Sequence, residues 1–532
     1  MEILFASIER RKSNLLGIFK IFRLTRGVLV LSREKDLIPK NLIKSMPLPM
    51  RLLLNIIPKN KNDGLSESLQ SLGPTWIKMG QFLSTRPDII GSKLSRHLRE
   101  LQDSLPPFDR SFVKEALIES FGEDYKKKFK KIEEPIAAAS IAQVHRAIID
   151  IDGISKMVAL KVLRPNIESK IKRDLKDFYL AAKILEKFSS EARRLRVIDV
   201  VRTLEESLSM EVDLRLEAAA QSEIIENTQK DKFIEIPEIF WDLTSKNILT
   251  TEWVDANSSK NLKEIKEKNI DFNVVGENIM KTFLILAIRD GFFHADMHQG
   301  NLFIKDDGTI IPVDFGIMGR LNIESRKYLL EILNGFVKKD YKKISDIHFE
   351  AGYIPEDQDR NKFAQALRAI GEPIQGQDSK SISMGHLLSQ LLEVTGQFEM
   401  KTQPQLLLLQ KTMVVTEGVA REFNPDLNIW SLSEPILDNL SNIKNFDLSK
   451  IRLSKESINS NAKDIYDLII GDIEKTKKDF NKIRRAFGDD GLKIDKKSLI
   501  LITENETSRS NQPKIIIFII LILILSILLI NK

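Results

Sequence analysis

The chain has 532 residues, enough for roughly two to four domains, and it is 42% hydrophobic and 29% charged, an ordinary balance for a protein with a sizeable core. It contains no cysteine, which excludes disulfides, thiol catalysis and zinc–thiolate sites. The formal net charge of +6 is uneven: residues 1–60 carry twelve Lys/Arg against four Asp/Glu, a net of +8, so the rest sums to −2.

A basic end on a near-neutral body suits an acidic partner surface, either anionic lipid or nucleic acid. Residues 1–63 form the basic region. Arg10, Arg11, Lys12, Lys20, Arg23 and Arg26 alternate with Leu15-Leu16, Ile18-Phe19 and Val28–Leu31. That spacing reads as amphipathic helix, able to lie on a membrane or to pack on the rest of the protein. No long apolar run follows the first charges, so no secretory signal is expected.

Residues 64–130 read as a helical extension. Pro74 suits the first turn of a helix that can run to Thr85, before the stop at Pro87. Lys78 and Gln81 are three apart and share a face. Gly80 between them permits another backbone to approach closely.

Residues 131–256 read as a small β-rich lobe with a helical insert. Asp152-Gly153 between two strand-like runs signals a hairpin. Val158-Ala159-Leu160-Lys161-Val162 is a strand carrying one lysine. Upstream, Ala137-Ala138-Ala139-Ser140 is a stretch of small residues that lets a backbone come near a ligand, with a hydroxyl at Ser140. Alanine, however, disfavours the positive φ that glycine supplies. The insert is helical, and its alanine-rich helix carries Glu217, the expected partner of Lys161. Glu211 and Asp213 are two apart, so on a regular helix they would not share a face. The lobe closes with Ile248–Thr251, then Glu252-Trp253-Val254.

Residues 257–440 read as a helical lobe. A long apolar helix over 262–292 leads to His294-Ala295-Asp296-Met297-His298-Gln299-Gly300-Asn301 and, twelve residues on, Asp314-Phe315-Gly316. An aspartate, an asparagine five residues later and a second aspartate between an apolar run and a glycine have the order and spacing of a kinase-type catalytic loop and metal-binding loop. Asp296 would face an attacking oxygen or order the site. Asn301 and Asp314 would hold Mg²⁺ against ATP phosphates, since Mg²⁺ takes hard oxygen ligands and keeps some waters. Lys161 would neutralise the phosphates, and Glu252 and Val254 would offer backbone groups to adenine. A zinc site at His294 and His298 is disfavoured: no cysteine exists and Gly300-Asn301 breaks a helix. Residues 323–440 continue as helices with no visible chemistry.

Residues 441–512 turn charged and end in a polar linker. In 513–532, Ile515–Ile530 has fifteen Ile, Leu or Phe and one serine in 16 residues. As a helix it would span about 24 Å against a hydrocarbon core of about 30 Å. Its apolar residues favour insertion by about 5–9 kcal/mol. A single C-terminal transmembrane helix is therefore expected, with the ATP-using body in the cytoplasm and the chain at the inner (cytoplasmic) membrane.

Taken together, these motifs resemble the UbiB family of atypical kinases (ADCK-like, aarF-domain kinases), which supports coenzyme Q biosynthesis. Lys78-Met79-Gly80-Gln81 matches its KxGQ motif, Ala137–Ser140 its alanine-rich loop and Glu211-Val212-Asp213 its ExD motif. Lys161, Glu217, Asp296, Asn301 and Asp314-Phe315-Gly316 match its kinase core. The match covers about residues 64–330. Met297 and Gln299 stand where the family's loop has prolines. The resemblance implies an α+β, protein-kinase-like two-lobe fold with the KxGQ helix across the active site. Lys78 and Gln81 would occupy the entry of a protein substrate, with Glu211 and Asp213 opposite. It implies ATP (or ADP) and Mg²⁺ as cofactors, and hydrolysis tied to lipid-soluble quinone precursors; phosphotransfer to a small molecule or protein is the alternative. Membrane lipids, quinone precursors and other ubiquinone-biosynthesis proteins are the expected partners, with no nucleic acid, and a homodimer is left open.

Overall fold

The computed structural model describes residues 65–442, apart from short stretches within 85–104, 190–194 and 377–403. Helices α1 (Leu65–Leu72) and α2 (Pro74–Ser84) open the described chain, followed by α3 (Arg110–Phe121) and the single turn α4 (Tyr125–Lys128). Strands β1 (Phe129–Ala138), β2 (Ala142–Ile151), β3 (Ile154–Leu163) and β4 (Ile248–Glu252) form one antiparallel sheet in that order. The Asp152-Gly153 turn joins β2 to β3, both residues at positive φ (52° and 82°). Those angles match the twist of the flanking strands, and the Gly153 amide donates to Asp150 Oδ1 at 2.8 Å.

Alternation along β3 decides where its lysine goes. Val158, Leu160 and Val162 are fully buried against Val113 and Leu117 of α3. A strand sends successive side chains to opposite faces, so Lys161 emerges on the other one. That face is covered by α5 (Ile167–Phe188), α6 (Val197–Glu211) and α7 (Leu214–Thr228). On α7, Leu214, Glu217, Ala218, Gln221 and Ile224 are buried, a three-and-four stripe that faces inward. Helix α2 docks on the same layer. Thr75 Oγ1 donates to Asp174 Oδ2 at 2.7 Å, and the Trp76 ring meets Phe178 edge-on at 4.9 Å.

The second lobe contains β5 (Asn257–Ser258), α8 (Leu262–Glu267) and α9 (Phe272–Leu284), which widens into a π-helical turn over Ile285–Asp290. The short strands β6 (Phe292–His294), β7 (Leu302–Ile304), β8 (Ile310–Pro312) and β9 (Met318–Arg320) follow. They pair as β5-β7-β8 and β6-β9. Helices α10 (Ile323–Val337), α11 (Tyr341–Glu350), α12 (Arg360–Gly376), α13 (Pro404–Phe423) and α14 (Ile429–Asn442) complete the lobe. Helix α9 is buried almost all round: Ile279, Met280, Phe283 and Leu284 share one core with Phe293, Phe315, Met413 and Ala420. Gly276 lets α13 come close, since a Cβ there would lie 2.8 Å from the Ala420 carbonyl oxygen and from Asn424 Cβ.

The kinase-like fold agrees with the sequence, but the transmembrane helix is corrected. Among the described residues no helix is long and apolar enough to cross a membrane, and Ile515–Ile530 lies outside them. The transmembrane element of the fold, and the inner-membrane location drawn from it, are withdrawn. The basic region 1–63 and the charged segment 443–512 also lie outside the described residues.

Candidate active site

Three elements bring their charges to one point. Lys161 Nζ lies 2.7 and 2.9 Å from the two Glu217 carboxylate oxygens and 2.8 Å from Asp314 Oδ1. One ammonium is shared by two carboxylates. Burial alone would favour neutral Lys161, but Asp314 and then Glu217 more than offset it and hold the ammonium charged. Burial pushes the Glu217 carboxyl up, to about 7, against the pull of Lys161 and with the repulsion of Asp314. Asp314 goes the other way. Partial desolvation would raise it, yet Lys161, followed by Lys78, holds it well below the usual carboxylate range.

Asp314 carries φ 66°, a left-handed conformation that costs a non-glycine residue on the order of 1–3 kcal/mol. The backbone thereby turns its carboxylate toward Lys161. Gly316 sits close beneath: a Cβ there would lie 3.3 Å from Asp314 Oδ1 and 3.7 Å from Glu217 Oε2.

The catalytic loop is braced by its own polar groups. The Asp296 amide donates to His294 Nδ1 (3.1 Å), which places the proton on Nε2, facing the Val313 carbonyl at 3.1 Å. Burial lowers the His294 pKa, in keeping with a neutral ring. Asn301 Nδ2 donates to the Asp296 carbonyl at 3.1 Å. The Gly300 amide donates to His298 Nδ1 at 2.9 Å, and His298 Nε2 stands 3.7 Å from Asp296 Oδ2. Both histidines brace the loop by accepting backbone amides at Nδ1.

The donor set fits Mg²⁺. The Asn301 amide nitrogen is tied to the Asp296 carbonyl, which leaves its oxygen as the free end. The Asp314 side chain is 48% exposed despite its partners, so a cation can reach it. Two hard oxygens suffice for an ion that takes its other ligands from phosphates and water. Among the described residues no group of three His, Cys, Asp or Glu could hold a metal unaided.

The KxGQ helix reaches this centre. Lys78 Nζ pairs with Glu211 Oε2 at 2.6 Å, each side chain only 9% exposed. Gln81 lies one turn on and is partly buried. The neighbours of Gly80 are leucine side chains, not a second backbone: a Cβ would meet Leu101 Cδ2 at 2.8 Å and Leu69 Cδ1 at 2.9 Å. The ExD residues separate. Helix α6 ends at Glu211, and Asp213 caps α7 by accepting from the Arg215 amide (3.2 Å) and side chain (2.6 and 2.9 Å).

The remaining sequence candidates are at the first lobe. Ala137 and Ala138 end β1, and Ala139 closes the turn by donating to the Ala142 carbonyl at 2.8 Å. Ser140 is fully buried with its hydroxyl inside the protein, not offered at the surface. Glu252 ends β4. Its amide donates to the Glu238 carbonyl and that of Trp253 to Met157, and Val254 follows, half-buried.

Two contacts were not legible in the sequence. Thr412 Oγ1 of α13 donates to the Ala295 carbonyl at 3.2 Å, and Gln299 Nε2 donates to Glu422. Helix α13 thus supports the catalytic loop from more than a hundred residues away. Arg164, just after β3, donates to the Ala139 carbonyl from Nε (3.0 Å) and Nη2 (2.8 Å).

Residues 100–348 match the ABC1 atypical kinase-like domain, and residues 367–428 match the UbiB helical domain. Curated relatives carrying the name "Probable protein kinase UbiB" are similar over most of the chain. The one from Marinobacter nauticus is 36% identical over 409 residues, covering 74% of each chain. The one from Pseudomonas aeruginosa is 35% identical over 439 residues, 80% of this chain and 81% of the relative. The one from Actinobacillus pleuropneumoniae is 37% identical over 382 residues, 70% of each. With these matches spanning both lobes, the chain belongs to the UbiB/ABC1 family of atypical kinase-like proteins, the family tied to ubiquinone biosynthesis.

Proposed function

We propose that the chain is a kinase-like ATPase that binds ATP (or ADP) with Mg²⁺ and uses hydrolysis to give ubiquinone-pathway proteins access to lipid-soluble quinone precursors. The observation that carries it is the buried Lys78–Glu211 pair at 2.6 Å, whose lysine charge also acts on Asp314. That charge supports a reading in which a cation from the extension faces the proposed metal ligand, where a protein acceptor would have to enter. In this scheme Lys161, held by Glu217, neutralises phosphate charge. Asn301 and Asp314 are the residues that would hold Mg²⁺, and the bound ion would offset charge developing on the transferred phosphoryl group. Asp296 orients the attacking water. The rim formed by Ala137–Ala139 covers the phosphates, and Glu252 and Val254 flank the adenine. Glu211 fixes Lys78, Gln81 shares its helix, and Asp213 fixes the start of α7 and so the position of Glu217.

Phosphate release by the full chain tests this, with and without liposomes carrying anionic lipid and a phenolic quinone-precursor analogue. Turnover should rise several-fold with lipid and phenol and vanish in Asp314→Asn. Flat background turnover by a protein that still binds nucleotide refutes the ATPase. A second reading, phosphotransfer to a small molecule or protein of the same pathway, draws on the Asp296 side chain, which stays 32% exposed and can meet an acceptor hydroxyl. Transfer of labelled phosphate to a pathway protein or to the phenol would favour it.

A further inference from the structure

The loop that replaces a glycine-rich cover is fixed from outside itself. None of Ala137, Ala138, Ala139 or Ser140 has positive φ, so the loop lacks the backbone freedom by which glycines fold over phosphates. Its position must come from its neighbours. The Ala139 carbonyl accepts twice from the Arg164 guanidinium, at 3.0 and 2.8 Å. The Arg164 amide donates to the Ile141 carbonyl at 2.8 Å. One side chain and its own backbone therefore hold both sides of the turn.

The same guanidinium reaches further. Nη2 also donates to the Pro106 carbonyl at 2.9 Å and the Leu105 carbonyl at 3.3 Å, and the guanidinium Cζ lies 5.6 Å from the centroid of the Phe108 ring. The Leu105 amide donates to the Ala138 carbonyl at 3.3 Å. Gln143, buried on β2, closes a second stitch: its Oε1 accepts from the Phe108 amide at 2.9 Å and its Nε2 donates to the Phe108 carbonyl at 3.4 Å. Residues 105–108 join the helical extension to α3. They are thus sewn to the alanine loop by a planar fork that no single-point donor can copy.

We infer that Arg164 is a positioning residue for the nucleotide: it locks the alanine loop to residues 105–108, so that the two move over the phosphates as one unit. The inference deepens the proposed nucleotide site and rests on it. A loop that moves with the extension lets nucleotide occupancy be felt in the segment leading to the KxGQ helix.

The test uses the full chain, Mg²⁺ and a fluorescent N-methylanthraniloyl-ADP, with hydrogen exchange of the Leu105 and Phe108 amides as the second readout. Wild-type protein should bind the probe, and binding should slow exchange at Leu105 and Phe108. Arg164→Gln should weaken binding about tenfold, the scale of losing hydrogen bonds from a charged donor, and should abolish the slowing. Turnover at saturating ATP should fall by less than the affinity does, because Lys161, Asp296, Asn301 and Asp314 are untouched. Arg164→Lys, which keeps the charge and loses the fork, should fall between the two. It carries the test if Arg164→Gln does not fold, as does Phe108→Leu, which removes the ring beneath the guanidinium. Wild-type affinity in the variants, or loss of turnover at saturation with affinity intact, overturns the role of Arg164. So does a 105–108 segment whose exchange ignores nucleotide. If wild-type protein binds no Mg²⁺–nucleotide, the nucleotide site fails first and the positioning role falls with it.

Discussion

Breaking the Lys78–Glu211 pair should cost far more than removing it. The two side chains lie 2.6 Å apart and are each 9% exposed. Removing one partner of such a pair strands a buried charge, at about 3–5 kcal/mol. Replacing both by apolar groups of similar volume is often neutral, within about 1 kcal/mol. Lys78→Met should sit at the upper end, because it removes the ammonium that faces the buried Glu211 carboxylate. Glu211→Gln should sit at the lower end, because the remaining ammonium still feels the Asp314 carboxylate. At about 1–2 °C per kcal/mol for a body of this size, Lys78→Met should lower the melting temperature by about 5–10 °C. The double variant Lys78→Met/Glu211→Leu should recover most of that loss. Thermal melts of wild type, Lys78→Met, Glu211→Leu and the double variant give the coupling energy directly. Additive losses, with coupling below about 0.5 kcal/mol, would refute a desolvated pair and make the contact a solvated one.

Asp314→Asn should leave nucleotide binding in place while reducing phosphate release to background, since the variant keeps an oxygen but loses the charge that Mg²⁺ and Lys161 share; wild-type turnover would remove Asp314 from the metal site. Gly276→Ala should lower stability by about 1–3 kcal/mol through overpacking, because its Cβ would press on the Ala420 carbonyl; an unchanged melt would mean that α13 yields. Acid should destabilise the second lobe through His348, whose pKa burial pushes down to about 4 while its Nδ1 donates to the Ile344 carbonyl at 2.8 Å. An unfolded histidine titrates near 6.5, so the unfolded chain binds the extra proton: stability is full above about pH 6.5 and falls by about 3 kcal/mol as pH drops toward 4. Melts of wild type and His348→Met across that range should converge at low pH, and parallel curves would refute the assignment.

Local chemistry made much of this molecule legible. Asp152-Gly153 can close a two-residue hairpin because both residues accept positive φ. Pro74 opens its helix where a missing amide does no harm. The spacing from Asp296 to Asn301 to Asp314 is covalent, so the loops that carry it were readable without a fold. What escaped depended on distance in space. A helix break at Val212 separates Glu211 from Asp213 and makes the second a cap. The burial of Ser140 and the leucines around Gly80 come from packing that periodicity does not specify. Residues 323–440 looked free of chemistry, yet Thr412 and Glu422 touch the catalytic loop through side chains that any helix surface could carry.

The close approach of α9 and α13 also bears on how this protein could have been assembled. Two family segments meet in one hydrophobic core, with Met413 and Ala420 seated among Ile279, Phe283 and Phe293. Neither segment owns that core. Cutting the chain between 348 and 404 would strip α9 of its cover and free the Ala295 carbonyl beside Asp296. The kinase-like part is therefore not expected to keep its core when it is expressed without the helical segment.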